Sequence, residues 1–246
     1  GNWDRYRGPL NIIRVDEYEA LTPGQQRRYR NARSIWMAPL AGLLYVIVNP
    51  RLNWLKGSFG LLLHVARGKL SQPGRTVKAL TSEFISPYWS SAKEYQHMCW
   101  NSCVLLGLWA AISWLDGSGV FVACYVISAS LAAAAGIVVF AVQHNFDQAY
   151  ASGDAGWDYD RAVLDGTSHL VLPGWLNWFT ANIGYHHVHH LSARIPSYCL
   201  VACHEEFAHL FVDVRRIGLA QIPAALRCML WDAPGRRIVS VPAARP

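Results

Sequence analysis

Residues 119–142 of this chain read GVFVACYVISASLAAAAGIVVFAV, and this stretch decides the fold. It runs for twenty-four residues without a charged side chain. As an α-helix it would be about 36 Å long. The hydrocarbon core of a bilayer is about 30 Å thick, so the stretch is long enough to cross a membrane. We therefore predict a transmembrane helix here.

A second apolar stretch precedes the first. Residues 97–115 (HMCWNSCVLLGLWAAISWL) contain no Asp, Glu, Lys or Arg, and only residues 116–118 separate them from the first stretch. Together the two stretches predict a transmembrane helical hairpin with a tight turn. A third apolar stretch, residues 35–48, contains a proline and would be a helix of only about 21 Å. We predict an interfacial or re-entrant segment there.

The composition agrees with a membrane protein. Hydrophobic residues make up 52% of the 246 residues, charged residues 15%, and the mean hydropathy is +0.14. These values disfavour a soluble globular, disordered or collagenous chain. A net charge of +6 and a pI near 9.1 suit nucleic acid or an anionic membrane surface. The apolar content decides for the membrane and against nucleic acid.

The basic residues predict the orientation. All 22 Lys and Arg lie outside the hairpin, 14 of them in residues 1–96 and 8 in residues 143–246. Under the positive-inside rule both flanks are cytoplasmic, which requires an even number of crossings. We predict an all-α integral membrane fold, in which residues 1–96 form cytoplasmic or interfacial helices and residues 97–142 form two transmembrane helices (97–115 and 119–142). Residues 143–246 form a cytoplasmic helical cap.

The strongest chemical signal is a cluster of histidines. Four of the ten histidines fall within residues 186–190 (HHVHH). On a helix, residues three and four apart share a face, so His186, His189 and His190 converge while His187 points elsewhere. Neutral imidazoles bind borderline metals such as Fe and Zn, so this face predicts a metal site. The alternative is a solvated histidine-rich turn.

His144 is a candidate for the same site. It follows the predicted transmembrane helix at the cytoplasmic end, where the cluster would also lie. The alternative is an ordinary helix-end histidine stabilised by the helix dipole. Three further histidines, His169, His204 and His209, have no ligand-like partner in the sequence.

These residues sit within a longer pattern that resembles membrane fatty acid desaturases with histidine boxes, in particular bacterial acyl-lipid desaturases of the omega-6 (delta-12) type. The pattern covers essentially the whole chain, and its most specific part is the third histidine box. The matching segments are residues 16–18 (DEY), 143–147 (QHNFD), Trp157, 172–191 (LPGWLNWFTANIGYHHVHHL), 194–198 (RIPSY), 230–232 (LWD) and 236–239 (RRIV).

The resemblance implies a non-haem di-iron centre with histidine ligands. The third-box ligands correspond to His186, His189 and His190, and one further ligand corresponds to His144. Asn182 and Asp147 are candidates to orient an imidazole or hold a water beside the metal. Both are equally well explained as helix caps or local hydrogen-bonding residues.

The sequence departs from this family in one respect. The first box (HxxxH or HxxxxH) and the second box (HxxHH) are absent, since residues 1–143 contain only His64 and His97. The start, residues 1–5 (GNWDR), resembles the segment directly after the second box in the family. We therefore expect that an amino-terminal half with both boxes is absent from this chain. The chain alone would then bind one divalent metal at best and would be inactive by itself.

For the intact protein the resemblance implies an oxygen-dependent desaturase of lipid metabolism, which introduces a cis double bond into a membrane lipid acyl chain. A ferredoxin or a b-type cytochrome would supply electrons, and the protein would lie in the bacterial inner membrane with its histidine boxes on the cytoplasmic side. Two alternatives stay open. One is another histidine-box oxygenase, such as a carotenoid or alkane hydroxylase, and the other is a catalytically incomplete membrane interaction protein.

Overall fold

The computed structural model describes residues 12–116 and 119–241. Gly117 and Ser118 of the predicted hairpin turn lie outside the described residues, as does the amino-terminal segment 1–11.

Helices predominate, which confirms the predicted fold class. The described residues form twelve α-helices: α1 Val15–Glu19, α2 Pro23–Ala32, α3 Ala38–Gly42, α4 Asn49–Ser71, α5 Val77–Glu83, α6 Ala92–Asp116, α7 Val120–His144, α8 Tyr159–Leu164, α9 Gly174–Phe179, α10 His186–Leu191, α11 Leu200–Glu206 and α12 Ile222–Ala225. Shorter 3-10 turns are Ile35–Met37, Asp154–Gly156, Ile183–Tyr185, Ser197–Cys199, Ala208–Leu210 and Leu219–Gln221. Leu43–Val48 is a π-helical segment.

The described part of the chain also contains five short strands, which the sequence did not predict. They are β1 Ile13–Arg14, β2 Ser168–Val171, β3 Arg215–Gly218, β4 Cys228–Asp232 and β5 Arg237–Ser240. One sheet has the order β1-β4-β5, with β1 parallel and β5 antiparallel to β4. The other sheet is the parallel pair of β2 and β3, in which Ser168 faces Arg215 and Val171 faces Gly218.

Within residues 12–116 and 119–241, three helical segments are long and apolar enough to cross a membrane. They are Ile35–Ser71, Ala92–Leu115 and Val120–His144. The last two overlap the stretches 97–115 and 119–142, for which transmembrane helices are predicted, and their ends differ by a few residues. The length and composition of its helices thus make the chain an integral membrane protein.

The segment Ile35–Ser71 is longer than the apolar stretch 35–48 from which its placement was predicted. Helical structure continues without a break from Ile35 to Ser71, a run of 37 residues. At this length the helical segment is long enough to cross a membrane. Its interfacial or re-entrant placement stays a prediction.

Pro50 explains the π-helical turn within this segment. A proline has no N–H and cannot donate to the carbonyl four residues earlier, which here belongs to Val46. The Arg51 side chain donates to that carbonyl instead, with 3.1 Å between Nη1 and the Val46 oxygen. Because a side-chain donor replaces the missing backbone N–H, the helix continues through the proline with a local change of pitch.

The described residues divide into two compact units. One comprises Pro39–Ala134, and the other comprises the residues up to Ala38 together with those from Ala135 onward. In the first unit α4 packs against α5 and α6. Polar contacts link α4 to α6, including a 3.0 Å hydrogen bond between the hydroxyls of Ser58 and Tyr95.

The second unit contains the histidine cluster and has its own apolar core. Val142 and Phe146, at and just beyond the end of α7, pack with Leu170 of β2 and Ile217 of β3. A separate apolar cluster forms behind α10, where Val188 contacts other buried residues, namely Leu200, Phe211 and Val214. The two clusters hold the end of α7 and the inner face of α10 in place.

Candidate metal centre

Two elements carry the histidines that come together. His144 is the last residue of α7, and His186 and His190 lie one turn apart on α10. The chain enters α10 through a tight turn in which Ala181 and Asn182 have φ angles of 53° and 56°. Asparagine tolerates this left-handed conformation better than most residues. The turn redirects the chain from α9 into α10.

The ring nitrogens of these three residues converge. The Nε2 atom of His186 lies 2.9 Å from Nε2 of His144 and 3.1 Å from Nε2 of His190. One ligand atom from each residue lies within 4.8 Å of the other two. His186 is buried, His144 is half-buried and His190 is exposed. We refer to His144, His186 and His190 as the histidine triad.

The triad fits a metal ion better than it fits hydrogen bonds alone. Nε2 of a neutral imidazole offers either one proton or one lone pair, yet Nε2 of His186 faces two other nitrogens. It can satisfy only one of them by hydrogen bonding. A metal ion accepts a lone pair from all three residues, and imidazole suits Fe, Zn, Cu and Ni.

The protonation state of the triad also suits a metal. Burial, reinforced by the imidazoles of His144 and His190, lowers the pKa of His186 to about 2. His186 is therefore neutral at neutral pH, which is the form that binds metals.

His189, the remaining predicted ligand, is not part of the triad. Its ring centroid lies 5.6 Å from that of His186, and the two rings are stacked. It lies 5.9 Å from the ring of His190. The structure thus brings together three of the four predicted ligands, and the role of His189 stays a prediction.

Asn182 and Asp147 have local contacts. The Asn182 side chain donates a hydrogen bond to the Ser197 carbonyl, with an N–O distance of 3.1 Å. Asp147 is exposed and accepts a hydrogen bond of 3.3 Å from the Gln148 side chain. These contacts favour the local role for both residues over contact with a metal-binding imidazole.

A second histidine cluster was missed by the sequence analysis. Nε2 of His187 lies 2.8 Å from Nδ1 of His204, and the ring of His169 lies 5.0 Å from that of His204. His169 and His204, for which the sequence indicated no ligand-like partner, thus each lie beside another histidine in the structure. Burial lowers the pKa of His187 to about 3 and that of His169 to about 4, so both are neutral.

One feature of the sequence, the helical spacing of His187, indicated that this residue lies apart from the predicted ligands. This spacing pointed His187 away from them, and in the structure it is 0% exposed. Its partners come from β2 and α11, which are distant in sequence, so no local pattern could identify them. We refer to His169, His187 and His204 as the supporting histidines.

Comparisons with known proteins identify relatives of this chain. The family model described as "Fatty acid desaturase" matches residues 19–217. A "Fatty acid desaturase" of Bacillus subtilis (strain 168) is 30% identical over 237 residues, which cover 96% of this chain and 58% of that protein. This chain therefore spans little more than half the length of that relative.

Shorter matches come from plants. Proteins named "Omega-6 fatty acid desaturase, chloroplastic" from Arabidopsis thaliana and Brassica napus are 45% and 43% identical over 49 residues. In each case the match covers 20% of this chain and 11% of the relative. No solved structure matches this chain.

Proposed function

Because this chain belongs to the fatty acid desaturase family, we propose that it is the part of a membrane fatty acid desaturase that carries the third histidine box. The complete enzyme introduces a cis double bond into a fatty acyl chain, using O2 and two non-haem irons. The observation that carries this proposal is the convergence of three imidazole Nε2 atoms at His186. It supplies part of the histidine donor set that the chemistry of the family needs.

The residues of the triad hold the metal. His144, His186 and His190 each provide one nitrogen, and His189 is a fourth ligand in this proposal because it adjoins His190 on α10. Bound iron supplies the redox chemistry that removal of hydrogen from an unactivated methylene requires, since acid–base groups do not act on such bonds. The low pKa of His186 keeps its lone pair free for the metal at neutral pH.

The second unit also limits access of water to one side of the site. His186 is 5% exposed and Val188 is fully buried, so the first turn of α10 is shielded from water. His190 is exposed, so the triad is open at the carboxyl end of α10. We infer that the remaining ligands of the complete enzyme approach from the side of His190.

The substrate and partners follow from the same proposal. The substrate is an acyl chain of a membrane lipid, and the electron donor is a ferredoxin or a b-type cytochrome. The site lies on the cytoplasmic side of a bacterial inner membrane. The distribution of Lys and Arg, all outside the segment 97–142, supports this orientation.

Fatty acid analysis tests the proposal. The full gene that encodes this chain is expressed in a host that lacks the product, and the fatty acids of the host are analysed by gas chromatography and mass spectrometry. We expect a new cis double bond. It should be lost in His190→Ala, because His190 is a member of the triad, and retained in His209→Ala, because His209 is not. A hydroxylated product would instead indicate another histidine-box oxygenase. No product, with no upstream boxes in the gene, would favour a catalytically incomplete protein.

A further inference from the structure

Gln143 is a fully buried polar residue next to the triad. Its side chain is 0% exposed, although it lies near the end of α7, one residue before His144. Its amide nitrogen Nε2 donates a hydrogen bond to the carbonyl oxygen of Ile183, at 2.5 Å. Ile183 begins the 3-10 turn Ile183–Tyr185 that leads directly into α10. The bond therefore joins the two elements that carry the triad.

The position of this bond allows it to affect the distance between His144 and His186. One end is adjacent in sequence to His144, and the other end is three residues before His186. A helix of six residues such as α10 is not stable by itself, so its position depends on contacts of this kind. A second hydrogen bond, from the hydroxyl of Ser168 to the Val142 carbonyl at 3.3 Å, holds the end of α7 to β2.

Packing alone does not require an amide at this position. The other amide atom, Oε1 of Gln143, is buried and has no hydrogen-bond partner among the described residues. Burial of an unpaired polar atom is unfavourable, and an apolar side chain of similar size would avoid it. The single bond to Ile183 is therefore the feature that distinguishes glutamine from methionine or leucine here.

We propose that Gln143 is a positioning residue, which sets the distance between His144 and His186 by holding the Ile183 carbonyl. The proposal rests on the proposed function, because it assumes that the triad binds a metal. Gln143 itself does not contact the metal. It acts through the two imidazoles, as residues that orient metal ligands do in other sites.

Cobalt binding tests this role. Co²⁺ binds histidine sites of this kind, and its visible absorption bands report the geometry of its ligands. The purified chain, in detergent, is titrated with Co²⁺ as the unsubstituted protein, as Gln143→Met and as Gln26→Met. Gln26 is a matched control, because its amide also donates to backbone carbonyls, those of Tyr18 and Leu21, within α1 and the turn after it.

We expect Gln143→Met to bind Co²⁺ about tenfold or more weakly, which is the usual effect of removing a residue that orients a metal ligand. At saturating Co²⁺ its absorption bands should differ from those of the unsubstituted protein. This readout separates positioning from folding, because loss of folded protein lowers the amplitude of the bands without moving them. Gln26→Met should match the unsubstituted protein in both affinity and spectrum.

Two results would overturn the inference. If Gln143→Met folds, by far-ultraviolet circular dichroism, and binds Co²⁺ with the unsubstituted affinity and spectrum, Gln143 does not position the triad. If Gln143→Met does not fold, Gln143→Asn takes its place, because its shorter amide cannot reach the Ile183 carbonyl. If Gln143→Asn binds Co²⁺ with the unsubstituted affinity and spectrum, the inference is overturned. If the unsubstituted chain gives no cobalt spectrum at all, the metal site of the proposed function fails first.

Discussion

At the scale of single residues, the histidines of this chain are organised by burial. His186 and His187 are adjacent in sequence and both are buried, but they face opposite groups of side chains. His186 faces the other members of the triad, and His187 faces His204. One short helix therefore contributes to a candidate metal site on one side and to its support on the other.

The buried histidines predict how stability depends on pH. The pKa values of His186, His187 and His169 lie at about 2, 3 and 4 in the folded protein. An unperturbed histidine titrates near ~6.5. Below that pH the unfolded chain binds protons that the folded chain does not, so acid favours unfolding. Above it neither state is protonated at these residues, and the effect vanishes.

We therefore expect the thermal midpoint of the metal-free chain in detergent to be constant between pH 8 and pH 7 and to fall at pH 6 and pH 5. Carboxylates titrate mainly below about pH 5, so the decrease in this window belongs to histidine. Circular dichroism at a series of pH values measures it. A midpoint that stays constant or rises from pH 7 to pH 5 would show that these residues are not held neutral by the fold.

His204 supports a prediction about stability. His204→Ala removes the partner of Nε2 of His187, whose Nδ1 atom already has no hydrogen-bond partner among the described residues. Leaving a buried polar group unpaired costs about 1–3 kcal/mol. We expect the free energy of unfolding to decrease by that amount, as measured by denaturant titration in detergent.

His209→Ala is the control for this experiment, because His209 is exposed. It should leave the free energy of unfolding unchanged. Equal stability of the two variants would mean that the contact between His187 and His204 contributes nothing to the fold.

The triad illustrates how far helical spacing predicts a site at this scale. Helical spacing placed His186 and His190 on one face, and the position of His144 after an apolar helix placed it nearby. The same spacing placed His189 with them, because His189 and His190 follow His186 by three and four residues and both adjoin it on a helix. Which of the two rings reaches His144 depends on how α10 packs against the end of α7, and spacing does not contain that information.

At the scale of elements, the approach of α10 to β2 depends on a glycine. Gly184 precedes α10 by two residues and is buried. A Cβ atom at this position would lie 2.6 Å from the carbonyl oxygen of Leu170 in β2 and 2.8 Å from Oδ1 of Asn177. Both distances are shorter than a carbon and an oxygen atom tolerate, and one of the partners is backbone. The turn before α10 therefore has no room for a side chain.

Gly184→Ala should displace α10 from β2. Overpacking of this kind costs about 1–3 kcal/mol of stability, and the shift of α10 should also weaken metal binding. Denaturant titration and Co²⁺ titration of the purified chain measure the two effects. Gly174→Ala is the matched control, since a Cβ atom at Gly174 would meet nothing within 4 Å. Indistinguishable behaviour of the two variants would contradict the close approach of Gly184 to β2.

The sheets show where sequence patterns give little information about elements. The partners β2 and β3 are strands of four residues each, separated in sequence by the residues that form α9 to α11. Strands this short carry no clear alternation of apolar and polar residues. Their pairing is a long-range contact, so an all-α prediction could be right about the predominant structure and still miss them.

At the scale of the whole molecule, the number of membrane crossings determines on which side of the membrane each flank of the chain lies. Among the described residues, two of the three long apolar segments overlap the stretches 97–115 and 119–142, for which a hairpin is predicted. The third, Ile35–Ser71, was judged from its first fourteen residues, because the charged residues after them hide the continuation of the helix from a hydropathy argument. Two crossings place both flanks of the chain on one side of the membrane, whereas three place them on opposite sides.

Cysteine labelling distinguishes the two cases. In a cysteine-free background, single variants Glu19→Cys, Ser118→Cys and Glu206→Cys are treated with a membrane-impermeant maleimide in intact cells and in inside-out vesicles. The positive-inside rule predicts that Glu19→Cys and Glu206→Cys react only in inside-out vesicles and Ser118→Cys only in intact cells. Labelling of Glu19→Cys and Glu206→Cys from opposite sides would contradict the predicted two-crossing topology.

The metal content of the purified chain tests the central claim, that His144, His186 and His190 form a metal site. The unsubstituted chain, His186→Ala, His190→Ala and His209→Ala are reconstituted with Fe²⁺ without oxygen and desalted, and the iron per chain is measured by mass spectrometry. We predict that the unsubstituted chain and His209→Ala retain iron, whereas His186→Ala and His190→Ala lose it. Equal iron in all four proteins, or none in the unsubstituted chain, would contradict the account.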